Sequence, residues 1–371
     1  TPRVSCFSFS CSVGSAHPEN SPNSRNREMA DSKSKSRLVE VDALRGLAAL
    51  AVVLFQYTTR FTELFAPHPP PTFSFPGGHY GVNLFFIISG FVIFMTLEKT
   101  SRPMDFVLSR FSRLFPAYWV AIILTLSITH LLGLPGKLVD VKTAFGNLIM
   151  IHSLFGIPHV DGVYWTLEVE LLFYCGMFLL YWFQRLHQIH YALLGLLALR
   201  LTYFVLAQGF GIELSWTISR LLILGYIPWF SLGISIYLAT SRHNKSEWRR
   251  PAVTAGCAIV TLLIVDSLFV AALAITLGTT VFLAASNHAS LLRHRIPVWL
   301  GTISYPLYLL HENIGWSVQL RLGALGISTD VTVLIALATS LAMATALTRW
   351  VEQPAMRWIR SNYRNRLVTL R

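Results

Sequence analysis

Arg45 and Gln56 are the polar members of an apolar run, Asp42-Ala-Leu-Arg-Gly-Leu-Ala-Ala-Leu-Ala-Val-Val-Leu-Phe-Gln-Tyr. Strong helix formers follow Asp42 and no proline interrupts, so the stretch reads as a helix. Eleven residues at 3.6 per turn make almost three turns, which puts both side chains on one face, roughly 16 Å apart. Across a bilayer core of about 30 Å, that places Arg45 at one interface and Gln56 near or past the middle. A cation at the rim and a polar group deep on the same stripe suit a lined path for a reactant. They equally suit an arginine snorkelling to headgroups and a glutamine bonded to a neighbouring helix. The two readings stand level on these residues.

Arg110 and Arg113, in Leu-Ser-Arg-Phe-Ser-Arg-Leu-Phe-Pro-Ala-Tyr-Trp, are three apart and share a helical face. Two guanidinium groups so placed can grip a phosphate or pyrophosphate. The plainer alternative is a cationic flank beside an aromatic belt of Tyr118 and Trp119. Glu168 and Glu170 are two apart, point to different sides of a helix and do not form an acid/base dyad. Each needs its own partner at membrane depth, and Arg200 and Arg220 are the candidates. His311, after Ile-Ser-Tyr-Pro-Leu-Tyr-Leu-Leu, is either a proton carrier or a histidine satisfied by one hydrogen bond. Glu352 and Arg357 bracket Pro354, where the last helix is expected to stop. His152 and His159 share a loop, yet no set of His, Cys and carboxylates has ligand spacing, so no metal is expected.

The elements that carry these residues must be membrane helices. The chain is 53% hydrophobic and 13% charged, with a mean hydropathy of +0.53. A soluble domain is nearer about a quarter charged, and apolar runs recur here to the end. The expected class is therefore all-α, a polytopic integral membrane protein of about ten spans. They run over roughly 43–60, 80–98, 114–133, 164–183, 190–207, 216–240, 252–267, 268–286, 299–320 and 331–350. Alternate loops hold the cations: Lys33, Lys35 and Arg37; Lys99, Arg102, Arg110 and Arg113; Arg185; Arg242, Lys245, Arg249 and Arg250; Arg293 and Arg295; then Arg357, Arg360, Arg364 and Arg366. The other set offers mainly Lys137, Lys142 and Arg321. The positive-inside rule puts both termini in the cytoplasm and requires an even count. The same rule accounts for the net charge of +12 without nucleic acid.

Residues 1–37 read as a polar, disordered tail without a signal-peptide core, of which the first 28 are expected to be extra. Residues 361–371 form a basic cytoplasmic tail. Residues 61–79 are too rich in proline to be helical throughout, and the short apolar run at 144–155 is expected to lie along the interface. The four cysteines form no disulfide or zinc pattern.

In order along the chain, Leu44-Arg45-Gly46-Leu47-Ala48-Ala49, Gly81-Val82-Asn83-Leu84-Phe85-Phe86-Ile87-Ile88-Ser89-Gly90-Phe91 and Arg110-Phe111-Ser112-Arg113 resemble pieces of the acyltransferase 3 family. So do Trp165-Thr166-Leu167-Glu168-Val169-Glu170, Leu300-Gly301-Thr302-Ile303-Ser304-Tyr305 with His311, and Glu352-Gln353-Pro354. The resemblance covers residues 38–360. It implies a multi-pass enzyme that moves an acetyl or other short acyl group from cytoplasmic acyl-CoA to a sugar hydroxyl of a surface or exported glycan, in the bacterial cytoplasmic membrane. Carried over by position, Arg45, Arg110 and Arg113 hold the acyl-CoA, with acetyl-CoA the expected donor. Glu170 falls on the family's carboxylate, while Asn83, Ser89 and Tyr305 orient substrate.

One position departs from the pattern. Gln56 stands where the family carries the histidine of its Arg-x10-His pair, and an amide does not titrate near neutral pH. Without a general base the transfer is expected to slow by about 10² to 10⁴-fold, unless another residue such as His311 serves. The alternatives are a homologue that binds acyl-CoA without turnover and, less in keeping with the absence of two related halves, a transporter.

Overall fold

The computed structural model describes residues 22–241 and 248–369, and within them it is helical with no strand. Helix α1 (Pro22–Phe55) passes into a π turn (Gln56–Arg60) and a short α2 (Phe61–Phe65). Part of the stretch expected as a structureless tail is thus helical, since extending a helix already nucleated costs far less than starting one; residues 1–21 lie outside the described residues. The proline-rich segment after α2 leads to α3 (Gly81–Glu98) and α4 (Pro103–Leu132). Helix α4 begins well before the expected third span because Pro103, which has no N–H to leave unpaired, occupies its first turn. Arg110 and Arg113 are therefore in the body of a helix.

A loop follows, with α5 (Val141–Gly146) and two 3₁₀ turns in the apolar run, where Phe145 and Phe155 are exposed. Next come α6 (Trp165–Trp182), α7 (Ile189–Phe210), α8 (Trp216–Leu221), α9 (Ile227–Ser241), α10 (Arg249–Val265) and α11 (Leu268–Ala285). The chain closes with α12 (Arg295–Leu310), α13 (Glu312–Gly323), α14 (Thr329–Leu347), a second π turn (Thr348–Glu352) and α15 (Gln353–Thr369).

Six helical stretches among the described residues are long and apolar enough to cross a membrane: Pro76–Glu98, Pro103–Leu132, Gly162–Trp182, Leu186–Phe210, Leu268–Ala285 and Thr329–Arg366. Of the other four expected spans, the first continues without a break from α1 into the π turn, and the remaining three are shorter or broken. The sixth is split between α8 and α9, the ninth breaks at His311, and the seventh has 17 residues. Pro354 does not stop the last helix. It lies in the first turn of α15, where a missing N–H costs nothing, after the π turn has absorbed the change of register.

Close helix crossings position the site. A Cβ on Gly46 of α1 would collide with the backbone of Leu300 and Gly301 in α12, and one on Gly301 with the backbone of Asp42. Gly90 of α3 and Gly233 of α9 make the same kind of crossing, each against the other helix's backbone. Small residues are what allow membrane helices to approach this closely. The first crossing brings Arg45 beside Ser304, and the second packs α3 on α9 next to Ser89, whose hydroxyl reaches Glu170 of α6.

Candidate active site

Helices α1, α3, α4, α6 and α12 enclose a narrow cleft of about 70 Å³. Three guanidinium groups line it, those of Arg45, Arg110 and Arg113, together with one carboxylate, Glu170. Arg45 enters from α1, where its Nε donates to Ser304 Oγ at 3.2 Å and its Nη2 lies 3.4 Å from Asp42. Arg113 lies 3.7 Å from the buried Glu352, at the end of the second π turn. Arg110 has no carboxylate partner among these ion pairs. Its guanidinium stands 5.8 Å from the Phe106 ring and 5.9 Å from that of Tyr174, and its buried Nε has no acceptor. Such a group, electrostatically supported by ring faces yet with a donor unspent, is suited to an anion.

Glu170 faces these cations from α6. One of its oxygens accepts from Ser89 Oγ at 2.6 Å and from the Tyr174 hydroxyl one turn further along. The helical spacing of Glu170 and Tyr174 was a signal available in the sequence. Tyr305 lines the cleft from α12 and donates to Leu114 O at 2.9 Å, tying α12 to α4. Arg360, from α15, donates to Ser112 Oγ at 3.2 Å and Ser109 O at 3.3 Å, and so braces the helix that carries both α4 arginines. Nothing in the sequence pointed to Arg360, because its separation from α4 along the chain is closed only by tertiary packing.

Of the residues singled out from sequence, Arg45, Ser89, Arg110, Arg113, Glu170 and Tyr305 all line this one cleft. Gln56, Asn83 and His311 do not. Phe85 and Tyr308, in edge contact at 5.4 Å, both line the cleft, and His311 lies against Tyr308 with ring centroids 5.5 Å apart. His311 is fully buried; its Nδ1 meets the Tyr308 carbonyl at 2.9 Å while Nε2 has no partner. A carbonyl only accepts, so Nδ1 carries the hydrogen and Nε2 keeps its lone pair. Gln56 is half-buried with Oε1 enclosed and unpartnered, and its carbonyl accepts from the Trp316 indole at 2.9 Å. Asn83 is half-buried near the start of α3.

The other charges pair apart from the cleft. Glu168 accepts from Arg220 at 2.9 Å and from Ser153, so one of the two expected pairings forms. Arg200 instead takes Asp266, at 2.6 Å, with the carbonyls of Leu224 and Gly225. Asp266 lies at the end of α10, within reach of Arg200, whereas Glu170 is already engaged by hydroxyls.

The loop before α6 contains a buried carboxyl that the sequence reading passed over. Asp161 accepts from the backbone of Val163 at 3.2 Å and of Asn313 at 3.1 Å, while Asn313 Nδ2 donates to Val160 O at 2.9 Å. Burial pushes the Asp161 carboxyl above the usual carboxylate range. In the same loop His152 and His159 meet nitrogen to nitrogen at 2.8 Å.

The chain is a multi-pass helical bundle that belongs to the acyltransferase 3 family, whose acyltransferase domain matches residues 38–349, and it is therefore a membrane acyltransferase. It is 26% identical over 313 residues to the exopolysaccharide production protein ExoZ of Rhizobium meliloti (strain 1021), a match covering 76% of this chain and 90% of that protein. Protein 2 in the picA locus of Rhizobium radiobacter is 33% identical over 112 residues, covering 28% of this chain and 53% of the relative. No solved structure matches the chain.

Proposed function

We propose that this protein transfers an acetyl or other short acyl group from acyl-CoA, most simply acetyl-CoA, to a hydroxyl of an exported polysaccharide at the bacterial cytoplasmic membrane. One observation carries the reading: three arginines converge on the cleft, two of them within 4 Å of Asp42 and Glu352, while the third, Arg110, has a buried donor without an acceptor. That unspent donor, beside two further guanidinium groups, favours an anion such as the phosphates of CoA. The narrowness of the cleft suits the thin thioester-bearing arm of the cofactor, with the bulkier end left at the cytoplasmic mouth. The similarity to an exopolysaccharide production protein supports the acceptor class.

In the reaction the acceptor oxygen forms an ester bond to the acyl carbon as the carbon–sulfur bond breaks. The hydroxyl proton must leave, and the CoA sulfur ends as a thiol. Gln56, at the family's histidine position, cannot take that proton. His311, with an available Nε2 behind Tyr308, is the residue able to substitute, and Glu170 polarises groups within the cleft through Ser89. The chain as it stands is therefore a slow enzyme.

Transfer of label from radiolabelled acetyl-CoA to membrane glycans tests this. Gln56→His should raise the rate by about 10²-fold or more, and His311→Ala should abolish the residual activity. A second reading, favoured by Gln56 itself, is a protein that binds acyl-CoA without turnover. It predicts CoA binding weakened by Arg113→Ala while Gln56→His gains nothing.

A further inference from the structure

A second cavity, of about 230 Å³, lies at the far end of the α1 rod from the arginine cleft. Phe61 of α2 is on its wall, sixteen residues beyond Arg45 and so roughly 24 Å away along the helix. The remaining walls come from the proline-rich segment, the end of α13 and the start of α14. Its volume is well beyond the about 30 Å³ a single water occupies. The rim is held in place. Thr72 donates through its backbone and hydroxyl to Asp330 at 2.8 and 2.6 Å, and Thr329 donates to the Pro69 carbonyl at 2.6 Å.

The chemistry of the lining is specific. It contains no lysine, arginine, aspartate or glutamate. Gln319, which is 1% exposed, lines it, and neither the oxygen nor the nitrogen of its amide has a hydrogen-bond partner. A buried amide with both ends unmatched is rare and costly, because it has given up water at two acceptor and two donor positions. Phe61 and Phe65, with ring centroids 5.1 Å apart, supply an apolar wall beside it. The titratable group in the lining is His68, so an anion finds at most one imidazole and no permanent counter-charge, and a hydrocarbon leaves the amide unmatched. A neutral polyol satisfies both: neighbouring hydroxyls donate to the amide oxygen and accept from its nitrogen, while the C–H face of a sugar ring packs on the aromatic wall.

We infer that this cavity is a binding subsite for a neutral sugar of the acceptor glycan, roughly 24 Å along the first helix from the donor cleft. The inference rests on the acyl-transfer reading for the identity of the glycan as acceptor, but the sugar site itself does not need a donor to be bound. The subsite anchors the polysaccharide by a sugar remote from the reacting hydroxyl, so its loss weakens acceptor binding without altering donor binding.

The full chain in lipid nanodiscs, titrated with neutral tetrasaccharides of glucose and of galactose, provides the test. At least one should bind saturably, and Gln319→Leu should weaken it tenfold or more. Ala324→Trp, which fills the cavity from an exposed position on its wall, should do the same and guards against misfolding of the first variant. Acetyl-CoA binding should be unchanged in both. No binding of either sugar to the wild-type chain, or equal sugar binding by Ala324→Trp and the wild type, overturns the inference. So does displacement of the sugar by phosphatidylglycerol alone, which would mark a lipid crevice. Sugar binding in a protein that binds no acetyl-CoA would instead sink the acyl-transfer reading and leave the subsite standing.

Discussion

Arg110 is the side chain with the most to gain from a ligand. It is held by the faces of Phe106 and Tyr174 and by Ser109, to which its Nη2 donates at 3.3 Å, and its Nε has no acceptor among the described residues. Charge-assisted hydrogen bonds contribute about 1.5–3 kcal/mol each, so Arg110→Gln should weaken acetyl-CoA binding by about tenfold to a hundredfold with little change in melting temperature. Calorimetric titration and a thermal melt on one preparation check both halves. Arg113 is different, because its removal also leaves the buried Glu352 unpaired, and Arg113→Ala should lower the melting temperature as well.

His152, in the loop before α6, gives a pH signature. Burial first, then the neighbouring His159, hold its pKa down at about 4, against the opposing pull of Glu168. An unfolded histidine titrates near about 6.5. Between those values the unfolded chain binds the proton and the folded one does not, so stability rises with pH across the window and falls on acidification. The melting temperature should drop between pH 7 and pH 4.5, and His152→Asn should flatten that slope.

Among the elements, the α1–α12 crossing fixes the donor cleft. Gly301 approaches the Asp42 backbone so closely that no side chain fits. Gly301→Val should cost about 1–3 kcal/mol through overpacking and displace Ser304 from Arg45. Gly256→Ala is the control, since a Cβ there meets nothing. The short helix α8 depends on a different contact, the ion pair from Arg220 to the fully buried Glu168. Replacing either partner alone should cost about 3–5 kcal/mol, and replacing both with apolar residues much less. A double-mutant cycle read by chemical or thermal unfolding separates these outcomes.

Over the whole molecule, the arginine cleft lies near the middle of one rod, α1 with its π turn and α2, and the sugar cavity at its α2 end, roughly 24 Å further along. The reactants would approach from the two faces of the membrane, and the acyl group alone would need to cross the middle. From the distribution of cations we propose that both termini lie in the cytoplasm after an even number of crossings. A phosphatase active only outside should then be silent when fused after Arg366 and active when inserted at Lys137; the reverse pattern would mean an odd number of crossings or an inverted chain.

Helicity, membrane residence and the identity of the charged side chains were fixed by composition and period, because a bilayer core admits only segments that satisfy their own backbone. The same spacing placed Arg110 and Arg113 on one face, and both do line the cleft. It also put Arg45 and Gln56 on one stripe, but a stripe is not a cavity. The lower part of that stripe faces α12 and the cleft, while the upper part meets α13 through Trp316, with Phe85 and Tyr308 at the cleft wall. Which carboxylate each arginine meets was likewise undetermined: Arg200 found Asp266, and Arg360 came from the last helix to brace α4. Periodicity describes one helix at a time, whereas a site is made where several helices converge. Only the tertiary structure decided that convergence, through glycine crossings and π turns whose effect on neighbouring helices no local pattern encodes.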